Sequence, residues 1–81
     1  MKIPNSVIDI DPWAFAESKH LISIAIPNSV KYIGNFAFSK CIRLTTVELP
    51  NSITDIHEGT FYECRHLTNV IIPNTVIEIW E

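Results

Sequence analysis

Hydrophobic positions along this chain recur in columns spaced 23 residues apart. Ile3, Ile26, Leu49 and Ile72 start the pattern; Val7, Val30, Ile53 and Val76 follow, then Ile10, Ile33, Ile56 and Ile79. Phe15, Phe38 and Phe61, next Leu21, Leu44 and Leu67, and last Ile24, Val47 and Val70 complete the set. A helix or strand period alone would not keep one side-chain type at that interval, whereas stacked coils put equivalent residues directly over one another. With Ile3, Ile26, Leu49 and Ile72 as position 1 of each coil, the columns fall at positions 1, 5, 8, 13, 19 and 22. They are the predicted core of a small solenoid.

Within one coil, the residues between the columns indicate the local structure. Leu21-x-x-Ile24-x-Ile26 and its two later copies alternate and are β-branched, which predicts a short strand. Proline at position 2 ends it, having no N–H for a neighbouring strand. Coils stacked about 4.8 Å apart pair these strands in parallel, giving one narrow sheet of about three strands. Asn at position 3 and Ser or Thr at position 4 make the next turn, and Ser6, Ser29, Ser52 and Thr75 are placed for a hydroxyl ladder. Positions 5 to 8 form a second extended piece, expected to be weak because its buried ends lie three apart. Asp11-Pro12 then sets an N-cap residue before a proline at the first helical position, and Gly34-Asn35 and His57-Glu58 take the same place. About one helical turn per coil is predicted there, with its Phe turned inward.

The run Ile26-Pro27-Asn28-Ser29-Val30, continued by Ile33-Gly34, Ala37-Phe38, Cys41, Leu44 and Val47, resembles the BspA-like class of leucine-rich repeats, and the match covers essentially the whole chain. The resemblance implies an α/β solenoid: a right-handed leucine-rich-repeat coil with a short parallel β-sheet on one face and short helical turns on the other. It would be a single domain over residues 1–81, with repeats starting at 3, 26 and 49 and a partial one at 72. Such repeats form long arrays on surface proteins of bacteria and some protists, implicated in binding host proteins and other cells. The implied function is therefore a non-enzymatic protein-binding or adhesion module of a surface or secreted protein. The alternative is a structural spacer or self-associating unit without a dedicated ligand. No catalytic, cofactor or metal residues come with the resemblance. The chain departs from the family pattern at position 9, where Asp11, His57 and Trp80 replace glycine, at Ser18, where Cys is usual, and at Thr60, where Ala is usual.

Composition narrows the partners. Eighty-one residues at 47% hydrophobic suit one small domain. A net charge of −3, with six Lys and Arg spread along the chain, provides no field for gripping nucleic acid or anionic lipid, so neither is expected as a partner; a protein partner is what the resemblance implies. No stretch approaches the ~18 apolar residues of a membrane span, and Met1-Lys2 runs into the repeat without the apolar region of a secretion signal. A surface or secreted location is thus implied by the resemblance alone. The first unit begins and the last one stops in mid-repeat, so the chain is expected to be a piece of a longer array.

Candidate chemistry is sparse. Cys41 and Cys64 share position 16, their Cα atoms expected about 5 Å apart; parallel stacking points both thiols the same way, which favours reduced core residues over a disulfide. His20, Arg43 and His66 share position 18 beside Lys19 and Arg65, forming a basic ridge that is either a solvated edge or a contact for an acidic partner. The two histidines, about 10 Å apart, are too distant for one metal. Asp9, Asp55 and Glu78 at position 7, with Glu17 and Glu63 at position 15, are expected to be solvated. With no nucleophile, base and oxyanion donor to assemble, an enzyme is not expected. The candidate partner surfaces are the outward strand residues Ser23, Ala25, Thr46, Glu48, Asn69 and Ile71, and the aromatic pair Trp13 and Phe36 at position 11, which either stack as a contact anchor or cover their own turns. Ile77, Ile79 and Trp80 on the last coil are expected to self-associate into a homo-oligomer through the uncapped end.

Overall fold

A computed structural model describes residues 2–80. Seven short strands follow one another: β1 (Asp9–Ile10), β2 (Ser23–Ala25), β3 (Tyr32–Ile33), β4 (Thr46–Glu48), β5 (Asp55–Ile56), β6 (Asn69–Ile71) and β7 (Glu78–Ile79). The main sheet runs β2-β4-β6, all parallel, in the register Ser23↔Thr46↔Asn69 and Ala25↔Glu48↔Ile71. Every pairing joins residues one repeat apart, because a strand that recurs once per coil meets its own copy running the same way. Lys2 extends the row by an isolated parallel bridge to Ala25.

The second extended piece is as weak as its broken alternation suggests. It holds two residues per coil and splits into the separate pairs β1-β3 and β5-β7. Between them the second and third coils are joined by other contacts: the Ser52 hydroxyl donates to the Val30 carbonyl. Next to it the Tyr32 ring leans on His57, with centroids 5.3 Å apart.

The expected helical turns are not formed: among the described residues there is no helix, and residues 12–17, 35–40 and 58–63 are consecutive tight turns. Their hydrogen bonds give the reason. In the first coil Ala14, Ala16 and Ser18 donate their N–H back three residues, to Asp11, Trp13 and Phe15. The alternate N–H groups, of Trp13, Phe15 and Glu17, donate sideways to Asn35, Ala37 and Ser39 of the next coil, and Phe36, Phe38 and Lys40 repeat this onto Glu58, Thr60 and Tyr62. An α-helix would turn all these donors inward and leave the coils unjoined. Directing every second N–H outward requires a left-handed residue at positions 11 and 15, and Trp13 (φ 66°), Phe36 (59°) and Gly59 (67°), with Glu17 (60°), Lys40 (59°) and Glu63 (55°), all adopt it. The Asp11-Pro12 signal opens the first of these turns instead of a helix.

Five of these six residues carry a Cβ, against a cost of about 1 kcal/mol each. Replacing exposed Lys40 by glycine should therefore raise stability by about 0.5–1 kcal/mol, since its N–H bond to Tyr62 is kept. Denaturant midpoints of the two chains would show it, and a loss of stability would count against the strain.

The core forms the predicted columns. Val30, Phe38, Leu44 and Val47 of the second coil are fully buried, because a coil lies on each side of them. Phe15, Phe38 and Phe61 make one inner stack, with centroids 5.2 and 5.9 Å apart and planes within 4° and 15° of parallel. Burial fades towards the last coil: Leu67, Val70 and Val76 are half-buried, and Ile72 and Ile79 are exposed.

Side-chain donors reinforce the stacking by reaching back one coil to a carbonyl. The Cys41 and Cys64 thiols donate to Phe15 and Phe38 at 3.2 and 3.0 Å, and Thr45 and Thr68 donate to Ile22 and Thr45 at 3.1 and 3.3 Å. The expected ladder of hydroxyls at position 4 is replaced by such bonds: Ser52 engages a carbonyl, and Ser29 Oγ is buried without a partner. Asparagine at position 3 takes over instead, with Asn28 Oδ1 accepting from the Asn51 N–H at 3.0 Å.

Candidate protein-interaction surface

The main sheet turns one face outward, and its register aligns the outward residues into two rows. Ser23, Thr46 and Asn69 form one, Ala25, Glu48 and Ile71 the other. All are exposed except Thr46, which is half-buried. Beside them runs a row missed in the sequence, exposed Ile22 with Thr45 and Thr68, whose hydroxyls are already spent on neighbouring carbonyls. The face is thus flat and largely uncharged, with a single carboxylate at Glu48.

The turn side carries the aromatics. Trp13 and Phe36 stack at 4.6 Å with planes 5° apart, yet Trp13 remains 57% exposed. Such a pair contributes about 0.5–1.5 kcal/mol beyond its burial. The column has no third ring because position 11 of the next coil is Gly59, and a Cβ there would lie 2.3 Å from the Phe36 ring. Phe36 therefore lies over a bare backbone, and Tyr62 from position 14 meets it edge-on at 6.0 Å. Tyr62 is 48% exposed and belongs to this cluster; its different coil position hid it, although a glycine in an otherwise aromatic column was a signal.

Other candidate groups are dispersed. His20, Arg43 and His66 are exposed, and His66 Nδ1 lies 2.8 Å from the Ile42 carbonyl, so this nitrogen carries the proton. Arg65 and Glu63 approach to only 4.0 Å at an exposed edge, which adds little stability. Cys41 and Cys64 are free thiols. Burial raises the pKa of both; hydrogen bonds oppose it at Cys41, while at Cys64 only the Cys41 backbone opposes it and the Cys41 thiol adds to the rise, so both are held as thiols and not as nucleophilic thiolates. Asp9 and Glu78 are exposed and Asp55 is half-buried. Among the described residues no group of three or more His, Cys, Asp or Glu is placed to hold a metal ion, and no helix is long and apolar enough to cross a membrane.

At the last coil a cavity of about 580 Å³ opens between Phe36, Phe61, Tyr62, Ile79 and Trp80. Ile77, Ile79 and Trp80 around this end are 78%, 63% and 52% exposed.

Parallel strands in register once per coil, a phenylalanine spine and an outward sheet face define the leucine-rich-repeat class. The chain belongs to the BspA-type leucine-rich repeat family, whose model, described as a leucine-rich repeat region of six copies, matches residues 1–81. A solved structure of a leucine-rich cell surface protein from Faecalibacterium prausnitzii A2-165 superposes on all of the chain with a TM-score of 0.96 and 36% identity. The chain spans 21% of that protein. Among curated protein sequences none matches.

Proposed function

We propose that this chain is a non-enzymatic binding module of a cell-surface or secreted repeat protein, and that it holds another protein on its aromatic turn side and outward strand face. The observation that carries this reading is Trp13: a large ring fixed in place by Phe36, with more than half of its surface in water. A rigid, exposed aromatic gives up little conformational entropy on binding, and such residues anchor protein interfaces. The buried Cys41 thiol, the half-buried Cys64 thiol and the dispersed carboxylates support a role without covalent chemistry. The likeness to a cell surface protein supports the location.

A Trp80→Phe chain leaves Trp13 as the only indole. Binding of the fluorescently labelled chain to intact cells, read by flow cytometry, should fall about tenfold or more on Trp13→Ser while circular dichroism is unchanged. Binding that survives both Trp13→Ser and Glu48→Lys would sink the proposal.

Exposed Ile77, Ile79 and Trp80 favour a second reading, a unit whose main contact is another copy through this end. Ile79→Asp with Trp80→Asp should then make an associating chain monomeric in sedimentation without altering cell binding.

A further inference from the structure

Two columns on different edges of the coil carry matching patterns. Position 17, ahead of the main sheet, reads Lys19, Ile42, Arg65: cation, apolar, cation. Position 7, in the second strand row, reads Asp9, Tyr32, Asp55, Glu78: anion, aromatic, anion, anion, the first three in the order that matches. Lys19 and Arg65 are exposed, Asp9 is exposed and Asp55 half-buried, and the central Ile42 and Tyr32 are each 39% exposed. Both columns step by one coil per residue, so they share one pitch, set by the same stacking of about 4.8 Å. On this ground we infer that the Lys19-Ile42-Arg65 edge of one copy docks against the Asp9-Tyr32-Asp55 edge of a second, side by side with the coils level.

The cationic column lies along a shallow groove of about 290 Å³ that Glu17, Lys40 and Glu63 also line. Lys40 adds a cation level with Ile42. Glu17 and Glu63 partly offset Lys19 and Arg65, while Arg43, one residue from Ile42, adds to them. On the opposing edge Asp11, Glu58 and Glu78 add anions, and Lys31 is the one cation nearby. The complementarity is therefore net and not uniform. The match goes coil by coil: Lys19 meets Asp9, Ile42 meets Tyr32, and Arg65 meets Asp55. Because the two edges differ, the contact is head-to-tail in the lateral sense, and it builds open rows instead of closed dimers. Each ion pair lies at the surface and is weak, so binding between single copies is weak and grows with the number of coils aligned.

Sedimentation velocity of the chain from about 10 μM to 1 mM, in about 20 mM and 500 mM salt, tests the pairing. Mass should rise with concentration at low salt and return to the monomer at high salt, where the screening length is only a few ångströms. Association through the apolar last coil would persist or strengthen instead, which separates the two contacts. Lys19→Glu with Arg65→Glu, and separately Asp9→Lys with Asp55→Lys, should each remain monomeric at low salt, and mixing the two should restore association. A monomer at every salt concentration would overturn the proposal, as would association indifferent to both reversals. So would a monomeric chain that binds poly-glutamate and loses it on Lys19→Glu with Arg65→Glu, since the ridge would then serve an acidic partner of another kind.

Discussion

Replacing Phe38 by alanine should come close to unfolding the chain. Phe38 is fully buried with a ring stacked on each side, Phe15 at 5.2 Å and Phe61 at 5.9 Å, so neither neighbour can close the space it leaves. Such truncations cost about 3–5 kcal/mol, against a total of about 5–15 kcal/mol for a typical domain and less for one this small. At about 4–8 °C per kcal/mol, the thermal midpoint should drop by at least about 12 °C. Phe15→Ala should cost less, because Phe15 is only half-buried and stacks on one side. Chemical denaturation of the three chains measures both effects. Equal losses at positions 15 and 38 would mean that the coils do not support one another through this column.

The second large effect is expected at Gly34, for a different reason. A Cβ there would stand 2.4 Å from the Pro12 nitrogen and 2.7 Å from Pro12 Cα, both backbone atoms that cannot swing aside. Gly34→Ala should cost about 1–3 kcal/mol by forcing the first two coils apart. At Gly59 the atoms in the way belong to the Phe36 ring, a side chain and not backbone. His57 holds position 9 one coil later with its own Cβ, and Asn35 holds the repeat position of Pro12 in the coil before it. Adding Pro12→Asn to Gly34→Ala removes only the ring Cδ, also 2.7 Å away, and keeps the nitrogen and Cα, so it should recover little of the loss. Full recovery in a double-mutant cycle would show that the ring of Pro12, and not its backbone, excludes the side chain.

These two positions differ in how far the sequence reveals them. The phenylalanine spine was readable because a side chain in a stacked coil has its own copy as neighbour, so repetition alone announces contact. The same logic located the main sheet and its parallel sense, and offered the stacking of Trp13 on Phe36 as one of two readings. Gly34 looked like the family's ordinary glycine, and only the approach of Pro12 explains it. Tyr62 escaped because it reaches Phe36 from another position of the coil, over Gly59. The helix expected after Asp11-Pro12 was a sound local inference overturned by the neighbouring coil.

The sequence by itself determined the coil length, which residues face inward, and which edges carry charge, since each follows from a residue's place in a 23-residue period. The tertiary structure alone decided where the backbone N–H groups of the turn side go. A local signal describes a helix that satisfies its own donors, but a stacked coil gains more by giving alternate donors to the next coil, and it accepts left-handed residues at Glu17, Lys40 and Glu63 to do so. That exchange between distant segments has no trace in any single repeat.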